Sequence, residues 1–477
     1  MTTILTTEDT PPPTPDQPGT PPGNQPWFGA FLLRLHFYAG VLVGPFILVA
    51  ALSGALYAAT PQLEQAVYAH ELHAPVSDTT LPLADQIEAA QAVVGDEGAL
   101  VAVRPAPNDG DTTRVMFTGE GLGESESRAI FVDPATAEVR GDLTAYGTSG
   151  VLPLRTWIDQ FHRNLHLGDV GRLYSELAAS WLGVVVLAGA AMWVIRIRRV
   201  RAKKDLLRPN NKVRGYRRLF SWHASTGIWL LVGALFLSAT GITWSQYAGQ
   251  NVSDLRAAFN LGTPSISTDL GEAATVPAGE HAGHGTATAS TAVIEPATFD
   301  AVLAVARTVN VNTGLVEIRP PSAAGQAWVV QEIQRSFPTE VDSVAVDGST
   351  LQVTDRVDFA DFNLAAKLTR WGIDTHMGTM FGLANQLVLL ATALGLAAMV
   401  GWGYLMWWKR RPTRGGARMG RPAPAGALAR APWWGVLAVI FGALVVGLFF
   451  PLVGISLLVF IVVDALLSLR APRSTPS

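Results

Sequence analysis

Two histidines occupy matching positions in two apolar segments of this sequence. His36 lies in RLHFYAGVLVGPFILVAALSG, His223 lies in WHASTGIWLLVGALFLSATG, and each precedes a glycine by four residues. These glycines are Gly40 and Gly227. At 100° per residue, each histidine and its glycine fall on one stripe of a helix. Because an imidazole can bind a metal through a ring nitrogen, the repeated spacing points to a pair of metal ligands.

A second histidine pair follows in the same order along the chain. The tripeptide HLG that begins at His166 matches HMG that begins at His376. We therefore predict His166 and His376 as the second pair. His162 lies one helical turn before His166, and its counterpart in the repeat is Gly372. It stays open as the ligand in place of His166 or as a polar group near a substrate.

Haem iron bound by two imidazoles would suit such pairs. Octahedral iron needs one histidine from each face of the macrocycle, and two symmetry-related helices can supply them. The chain has no cysteine, which excludes thiolate-bound clusters, thiolate-bound haem and the covalent c-type attachment. Gly40 and Gly227 lack the Cβ atom that would keep a flat ring from the backbone, although glycine also serves close helix packing. The alternative for any one histidine is a simple hydrogen bond at a membrane interface.

Arginine and tryptophan residues precede both histidines of the second pair. Arg155 and Trp157 come before the first, and Arg370 and Trp371 come before the second. Such residues commonly anchor helices at the membrane surface. The alternative is a cationic, aromatic rim that holds an anionic substrate beside the outer histidines.

The elements that must position these residues are membrane-spanning helices. Hydrophobic residues make up 49% and charged residues 15% of the sequence, and several apolar runs approach the roughly 20 residues that span a bilayer. We predict an α-helical polytopic membrane protein with six spans, a duplicated two-helix unit and two extracytoplasmic α+β modules. The predicted order is a disordered tail (1–26), a first span (27–58), a first outer module (59–152), an interfacial segment with the second span (153–200), a basic loop (201–218), a third span (219–246), a second outer module (247–370), a fourth span (371–411), a second loop (412–431) and a hairpin of two spans (432–470).

The two outer modules share one order of elements. Each is predicted as a helix followed by short alternating strands, which is typical of a small α+β unit. Duplication in one orientation places equivalent residues around an axis along the membrane normal. In the second module, His281 and His284 form an H-x-x-H pattern, which is a weak candidate for an outer metal site.

The distribution of charge predicts the orientation of the spans. The loops 201–218 and 412–431 are rich in Lys and Arg, whereas both modules are acidic. Because short cytoplasmic loops carry an excess of Lys and Arg, we place these loops and both termini in the cytoplasm. The α+β modules then lie outside, with His36 and His223 near the inner membrane surface and the second pair near the outer one.

Four motifs resemble those of a known family. RLHFYAG, FHRNLHLGDVGRLY and FSWHASTG are similar to motifs of the PepSY-associated transmembrane family, and the VDPATAEV turn resembles that of PepSY domains. The family includes iron-regulated membrane proteins and bacterial siderophore reductases such as ferrioxamine reductase. The resemblance covers about residues 30–410. It implies two b-type haems in a bacterial cytoplasmic membrane, with the ligands His36, His223, His166 (or His162) and His376.

The resemblance implies an oxidoreductase that carries electrons across the membrane to a ferric siderophore or another ferric chelate, for iron acquisition. The sequence has no G-x-G-x-x-G fingerprint, so the donor is expected to be separate, either a quinol or a cytosolic reductase. No nucleic-acid partner is expected, and the last two spans could dock a partner subunit. The alternatives are a cofactor-free PepSY protein that binds peptides or regulates a protease, and an electron-transfer subunit for another partner.

Overall fold

The computed structural model describes residues 27–198, 207–271, 294–410 and 427–470. His281 and His284, the weak candidate metal site, lie outside these ranges. The helices are α1 (Trp27–Leu42), α2 (Gly44–Ala58), α3 (Thr60–Val67), α4 (Ala69–Leu72), α5 (Leu83–Val94), α6 (Pro153–Asn164), α7 (Gly168–Ile197), α8 (Tyr216–Trp229), α9 (Leu231–Thr243), α10 (Tyr247–Ala258), α11 (Ala297–Val309), α12 (Leu364–His376), α13 (Gly382–Lys409), α14 (Trp433–Phe449) and α15 (Pro451–Arg470). The strands are β1 (Leu100–Arg104), β2 (Thr113–Phe117), β3 (Glu126–Val132), β4 (Val139–Tyr146), β5 (Val316–Arg319), β6 (Trp328–Glu332), β7 (Ser343–Val346) and β8 (Val353–Val357).

Two helices, α7 and α13, are each long and apolar enough to cross a membrane. The predicted first and third spans are each a bent pair of helices, with 60° between α1 and α2 and 63° between α8 and α9. Counting each bent pair as one span gives four. Within the described residues, Trp433–Phe449 and Pro451–Val463 are apolar but shorter than the others. Over the residues that the structure describes, it therefore supports up to four long spans, where the sequence predicted six.

The first bend has an identifiable cause in Pro45. Proline has no backbone N–H, and its ring clashes with the carbonyl four residues earlier, which belongs to Val41. The Tyr404 hydroxyl of α13 donates to this carbonyl oxygen at 2.6 Å. At the second bend, Leu230 packs against Gly395 of α13. A Cβ atom added at Gly395 would lie only 2.7 Å from Cδ1 of Leu230. Both bends therefore contact the same helix, α13.

Among the described residues, the strands of both predicted α+β modules form one antiparallel sheet of eight strands, ordered β4-β3-β2-β1-β5-β6-β7-β8. The modules meet where β1 pairs with β5, with Val103 opposite Ile318. The sequence predicted two separate modules. In the structure they are joined, because β1 and β5 would otherwise be edge strands with unpaired backbone N–H and C=O groups.

The helices α5 and α11 cover one face of this sheet and share its apolar core, which includes Ile87 and Phe299. Asp300 of α11 accepts hydrogen bonds from the backbone N–H groups of Leu83 and Ala84, at the start of α5. A carboxylate at this position satisfies N–H groups that have no partner within the helix. The first turn of α5, in the first module, is therefore stabilised by a side chain of the second module.

The final hairpin of α14 and α15 packs against the rest of the helical bundle. Trp181 of α7 donates its indole N–H to Ser456 of α15 at 2.8 Å. Asn251 of α10 donates to the carbonyl oxygen of Phe449 at 3.1 Å. One side of the hairpin is thus held by this chain, and the predicted partner subunit at this hairpin remains a prediction.

Candidate functional site

His36 of α1 and His223 of α8 lie opposite each other in the helical bundle. Their ring centroids are 6.1 Å apart, and the ring planes are nearly perpendicular, at 83°. Nδ1 of His36 lies 2.9 Å from the carbonyl oxygen of Val185 in α7, and Nδ1 of His223 lies 3.1 Å from that of Met399 in α13. Because a carbonyl oxygen can only accept, each Nδ1 carries the hydrogen and donates it. The lone pair of each imidazole is therefore on Nε2.

The second pair is made by His162 of α6 and His376, the last residue of α12. Nδ1 of His162 lies 2.9 Å from the Ser53 hydroxyl, and Nδ1 of His376 lies 2.6 Å from the Thr240 hydroxyl. Ser53 and Thr240 are themselves equivalent in the repeat, since each follows its inner histidine by the same number of residues. We call these two imidazoles the outer pair, and His36 with His223 the inner pair.

The hydroxyls fix the hydrogen position in the outer pair as the carbonyls do in the inner pair. Ser53 Oγ donates to Val49 O at 2.8 Å, and Thr240 Oγ1 donates to Phe236 O at 2.7 Å. With its hydrogen on the backbone carbonyl, each hydroxyl oxygen can accept a hydrogen from Nδ1 of its histidine. In that arrangement all four imidazoles share one tautomer, with the lone pair on Nε2.

His162 and His376 are neighbours, close enough for each to act on the charge of the other. A metal ion binds the neutral form of imidazole, through the lone pair of a ring nitrogen. The two rings of the outer pair therefore offer their lone pairs in one region of the bundle.

The internal repeat predicted His166 as the partner of His376. The structure instead places His166 outside the outer pair. The helix α6 ends at Asn164, and the next two residues, Leu165 and His166, are both in the left-handed region, with φ of 54° and 56°. This turn carries His166 to the surface, where its ring centroid is 4.9 Å from that of Trp157. His162, which was kept as the alternative, instead takes the place equivalent to His376. The repeat aligned on HLG and HMG missed this because the turn after α6 differs in length from the turn after α12.

Glycines near the histidines give the rings room. A Cβ atom at Gly189 would lie 3.2 Å from Cε1 of His36, and one at Gly54 would lie 3.2 Å from Cε1 of His162. Of the two glycines predicted to face a cofactor, Gly40 borders open space, with no atom within 4 Å of an added Cβ. A Cβ atom at Gly227 would lie 3.0 Å from the Met399 methyl group. An added Cβ atom at Gly40 would thus meet no neighbouring atom, whereas Gly227 serves helix packing.

The four predicted rim residues have different surroundings. Arg155 is buried and donates to the Tyr57 hydroxyl at 3.1 Å. Arg370 lies 2.9 Å from Asp374, and its side chain is 27% exposed. Trp157 is on the surface, stacked on Phe161. Trp371 lies edge-on to Phe359. Of these four residues, only Arg370 is a charged side chain that is partly exposed, and it lies on α12, the helix that ends at His376.

A cluster of arginines lies where the sheet meets α6 and α12, and the sequence pattern did not reveal it. Arg335, in the loop after β6, donates to the Thr148 hydroxyl at 2.7 Å and lies 3.8 Å from Asp374. Asp374 precedes His376 by two residues on α12. We call this set the arginine cluster; its members are Arg104, Arg114, Arg155, Arg335 and Arg370.

Mutual repulsion is visible in the arginine cluster. Burial and the positive charge of Arg370 lower the pKa of Arg335 to about 10. Burial and the charge of Arg104 lower the pKa of Arg114 to about 10 as well. Both side chains stay protonated at neutral pH. Carboxylates accompany most of the cluster, with Glu64 and Asp159 near Arg155, Glu317 on Arg104 and Asp111 near Arg114. Arg335 and Arg370 share the carboxylate of Asp374, so this end of the cluster favours an added anion.

The arrangement fits a bis-imidazole metal centre at the inner pair. A metal about 2 Å from each of two ring nitrogens holds the imidazole centroids roughly 6 Å apart, which matches the observed separation. Metal-bound histidines usually donate their other ring N–H to a protein oxygen, and all four histidines do so here. This donor set suits haem iron as well as any other metal that prefers imidazole.

Comparison with known proteins agrees with the motifs. The family model for the PepSY-associated TM region matches residues 33–410, which include all four paired histidines and both halves of the sheet. No curated protein matches the chain. The prediction of a membrane protein with PepSY-related motifs is confirmed. The protein is a member of the PepSY-associated TM region family.

Proposed function

We propose that this protein is a haem b oxidoreductase that transfers electrons across a membrane to a ferric chelate, of which a ferric siderophore is the expected kind. The observation that carries the proposal is the common state of four histidines. They form two pairs at two depths, and every Nδ1 is held by a protein oxygen. A histidine that only anchors a helix has no need of a partner imidazole or of a free Nε2.

His36 and His223 would hold one haem, and His162 and His376 would hold the other. Bound in this way, haem iron supplies reversible one-electron chemistry. The protein's own contribution is to fix each ring orientation through Val185, Met399, Ser53 and Thr240, which also makes each imidazole a stronger ligand. Because Ser53 follows His36 by 17 residues, the two pairs are at most about 25 Å apart along the helix at 1.5 Å per residue.

The arginine cluster would position an anionic substrate close to the outer pair. Arg370, Asp374 and His376 share α12, and Arg335 reaches the same helix from the sheet. A ferric chelate with negative charge would be attracted to this surface. Reduction releases the metal because hard oxygen ligands hold ferrous iron much less tightly than ferric iron.

The electron donor is proposed to be separate, either a quinol or a cytosolic reductase, and to act at the inner pair. The alternative functions are a cofactor-free protein that binds peptides or regulates a protease, and an electron-transfer subunit for another partner. The exposed face of α14 and α15 is where a partner subunit would dock under the last alternative.

The absorption spectrum of the purified full-length protein tests the proposal. We expect a b-type spectrum that changes on reduction with dithionite, with two haems per chain in a haem assay. Anaerobic addition of an anionic ferric chelate, such as ferric citrate, to the reduced protein should return the oxidised spectrum. A colourless protein from haem-supplemented cells would contradict the proposal and favour the peptide-binding function. A red protein that ferric chelates do not reoxidise would favour the electron-transfer subunit.

Replacing Arg370 tests the role of the arginine cluster. In Arg370→Gln we expect the KM for an anionic ferric chelate to rise about tenfold, equivalent to ~1.4 kcal/mol. The KM for a neutral chelate of similar size should change little, because only the charge interaction is lost. Arg128→Gln is the matched control, since Arg128 is an exposed arginine paired with Asp142 on the sheet. Equal effects on both chelates, or on both variants, would contradict this role.

A further inference from the structure

Three carboxylates lie together at the end of the β6–β7 ladder, in the second half of the sheet. Glu332 ends β6, and Glu340 and Asp342 precede β7. Each offers a carboxylate oxygen, and the three oxygens lie within 4.8 Å of one another. The strand register explains this arrangement. Glu332 N donates to Asp342 O and Gln334 N donates to Glu340 O, so Asp342 lies opposite Glu332 and Glu340 lies opposite Gln334. Side chains two residues apart on a strand point to the same face, and so do those of directly opposite residues. The three acids therefore share one face of the sheet.

Burying the carboxylate of Glu332 costs free energy unless a cation compensates its charge. The residue is fully buried. Its Oε1 accepts hydrogen bonds from the backbone N–H groups of Asn312 and Thr313, at 2.6 and 2.9 Å. Its Oε2 is buried and has no hydrogen-bond partner among the described residues. A buried carboxylate oxygen without a donor or cation loses its hydration and gains nothing in return.

The neighbouring acids add to this cost. Like charges directly opposite on adjacent strands destabilise a sheet, and Asp342 lies opposite Glu332. Burial and the charges of Glu332 and Asp342 raise the pKa of Glu340. Asp342 is partly compensated, because its Oδ1 accepts from the backbone N–H of Phe359 at 2.6 Å and its other oxygen accepts from Asn310. Glu332 is compensated at Oε1 only, because its Oε2 has no donor among the described residues.

The first half of the sheet shows that the fold does not require these acids. Phe117 ends β2 as Glu332 ends β6, and Arg128 lies opposite Phe117 where Asp342 lies opposite Glu332. The same ladder therefore forms with an aromatic and a cationic side chain. The acid trio is a feature of one copy only.

We propose that Glu332, Glu340 and Asp342 bind a divalent cation, and that the cation is Ca²⁺. Two oxygens on one Ca²⁺ can be separated by at most about 5 Å, because Ca–O bonds are about 2.4 Å long, and the trio meets this limit. The ligands are all hard oxygens, which disfavours zinc and copper. Mg²⁺ needs near-ideal octahedral geometry and keeps most of its water, whereas Ca²⁺ tolerates an irregular set of carboxylates. The ion would fasten β6 to β7 and, through Glu332, to the segment after α11.

Calcium titration of the full-length protein in detergent tests this site. After EDTA treatment and dialysis, CaCl₂ should bind saturably in isothermal titration, with a Kd of roughly 0.1–1 mM as in other extracellular modules. It should also raise the Tm, because a ligand that binds only the folded state stabilises it. Neither readout depends on haem or on reductase activity. Absence of both effects in the wild-type protein would overturn the proposal.

Glu340→Gln and Glu126→Gln form a matched pair of variants. Glu340 is partly exposed, so its replacement by the same-sized amide should leave the fold intact. Glu126 precedes Arg128 by two residues on β3, as Glu340 precedes Asp342. We expect Glu340→Gln to weaken Ca²⁺ binding at least about tenfold, with a Tm in EDTA equal to or above that of the wild type, since a repulsion is relieved. Glu126→Gln should bind Ca²⁺ normally.

Two results would overturn the assignment. If Glu340→Gln retains the wild-type Kd, the trio is not the site. If MgCl₂ at the same concentration gives the same Tm increase and the same Kd as CaCl₂, the assignment of Ca²⁺ is wrong.

Discussion

His162→Ala should lose one of two haems, whereas His166→Ala should keep both. His162 lies at the Ser53 hydroxyl, in the place equivalent to His376 at Thr240. Removing a single group that only orients a metal ligand already costs about 10–100-fold in affinity, so removing the ligand itself should cost more. We expect the haem content of His162→Ala to fall by about half relative to the wild type in a haem assay, or the outer iron to change its coordination and therefore its absorption. His166, on the surface beside Trp157, should be silent in both readouts.

The inner pair supplies the control for folding in this experiment. A His162→Ala protein that elutes as the wild type does in gel filtration and keeps one haem has lost a ligand and not its fold. The opposite pattern, in which His166→Ala loses haem and His162→Ala does not, would contradict the outer pair defined by the structure. Ser53→Ala is an intermediate case, because it removes only the hydroxyl that orients His162, and it should lower haem occupancy less than His162→Ala.

His36→Ala should lose the other haem and disconnect the outer one from its donor. The His36 and His223 rings lie 6.1 Å apart between centroids, and each depends on the other to complete the inner pair. We expect about half the haem content of the wild type, and a loss of at least about 100-fold in affinity at the inner centre. Dithionite should still reduce the remaining haem. Reduction by a quinol should fall steeply if the donor acts at the inner pair.

The double variant His36→Ala, His162→Ala separates the two centres. If the losses are independent, this protein should be almost colourless, because the sites are too far apart to share ligands. His70→Ala is the matched control, since His70 is an exposed histidine near Arg140 in the first module. A single variant that removes all haem would show one centre or a cooperative pair, and would contradict two independent sites.

The sequence predicted the inner pair but could not decide between His162 and His166 for the outer pair. The inner histidines could be predicted because each lies within one helix, so that the distances between histidine, glycine and hydroxyl residues along the sequence become positions on a helix surface. The histidine that pairs with His376 could not be chosen in this way. Between His162 and α7 the chain passes through a left-handed turn at Leu165 and His166. Such a turn changes which side chain faces the bundle without changing the spacing of the motif.

The arginine cluster and the acid trio were missed for a related reason. Arg104 comes to Glu317 only through the pairing of β1 with β5, two strands that are far apart in the chain. Arg335 comes to Asp374 only because the loop after β6 packs against α12. Glu332 and Asp342 become neighbours only through strand register. An arginine or glutamate in a strand carries no signal of its own, because the same residue on an unpaired edge would be an ordinary solvated charge.

The sequence by itself determined that the protein crosses a membrane, that its core is a duplicated unit and that histidines at matching depths are its candidate ligands. These features follow from apolar length and helical periodicity, which are local properties of the chain. The tertiary structure decided which histidine completes the outer pair, that both modules form one sheet, and which charges face each other. Those outcomes depend on turns and on strand pairing between distant segments, and local spacing does not encode them.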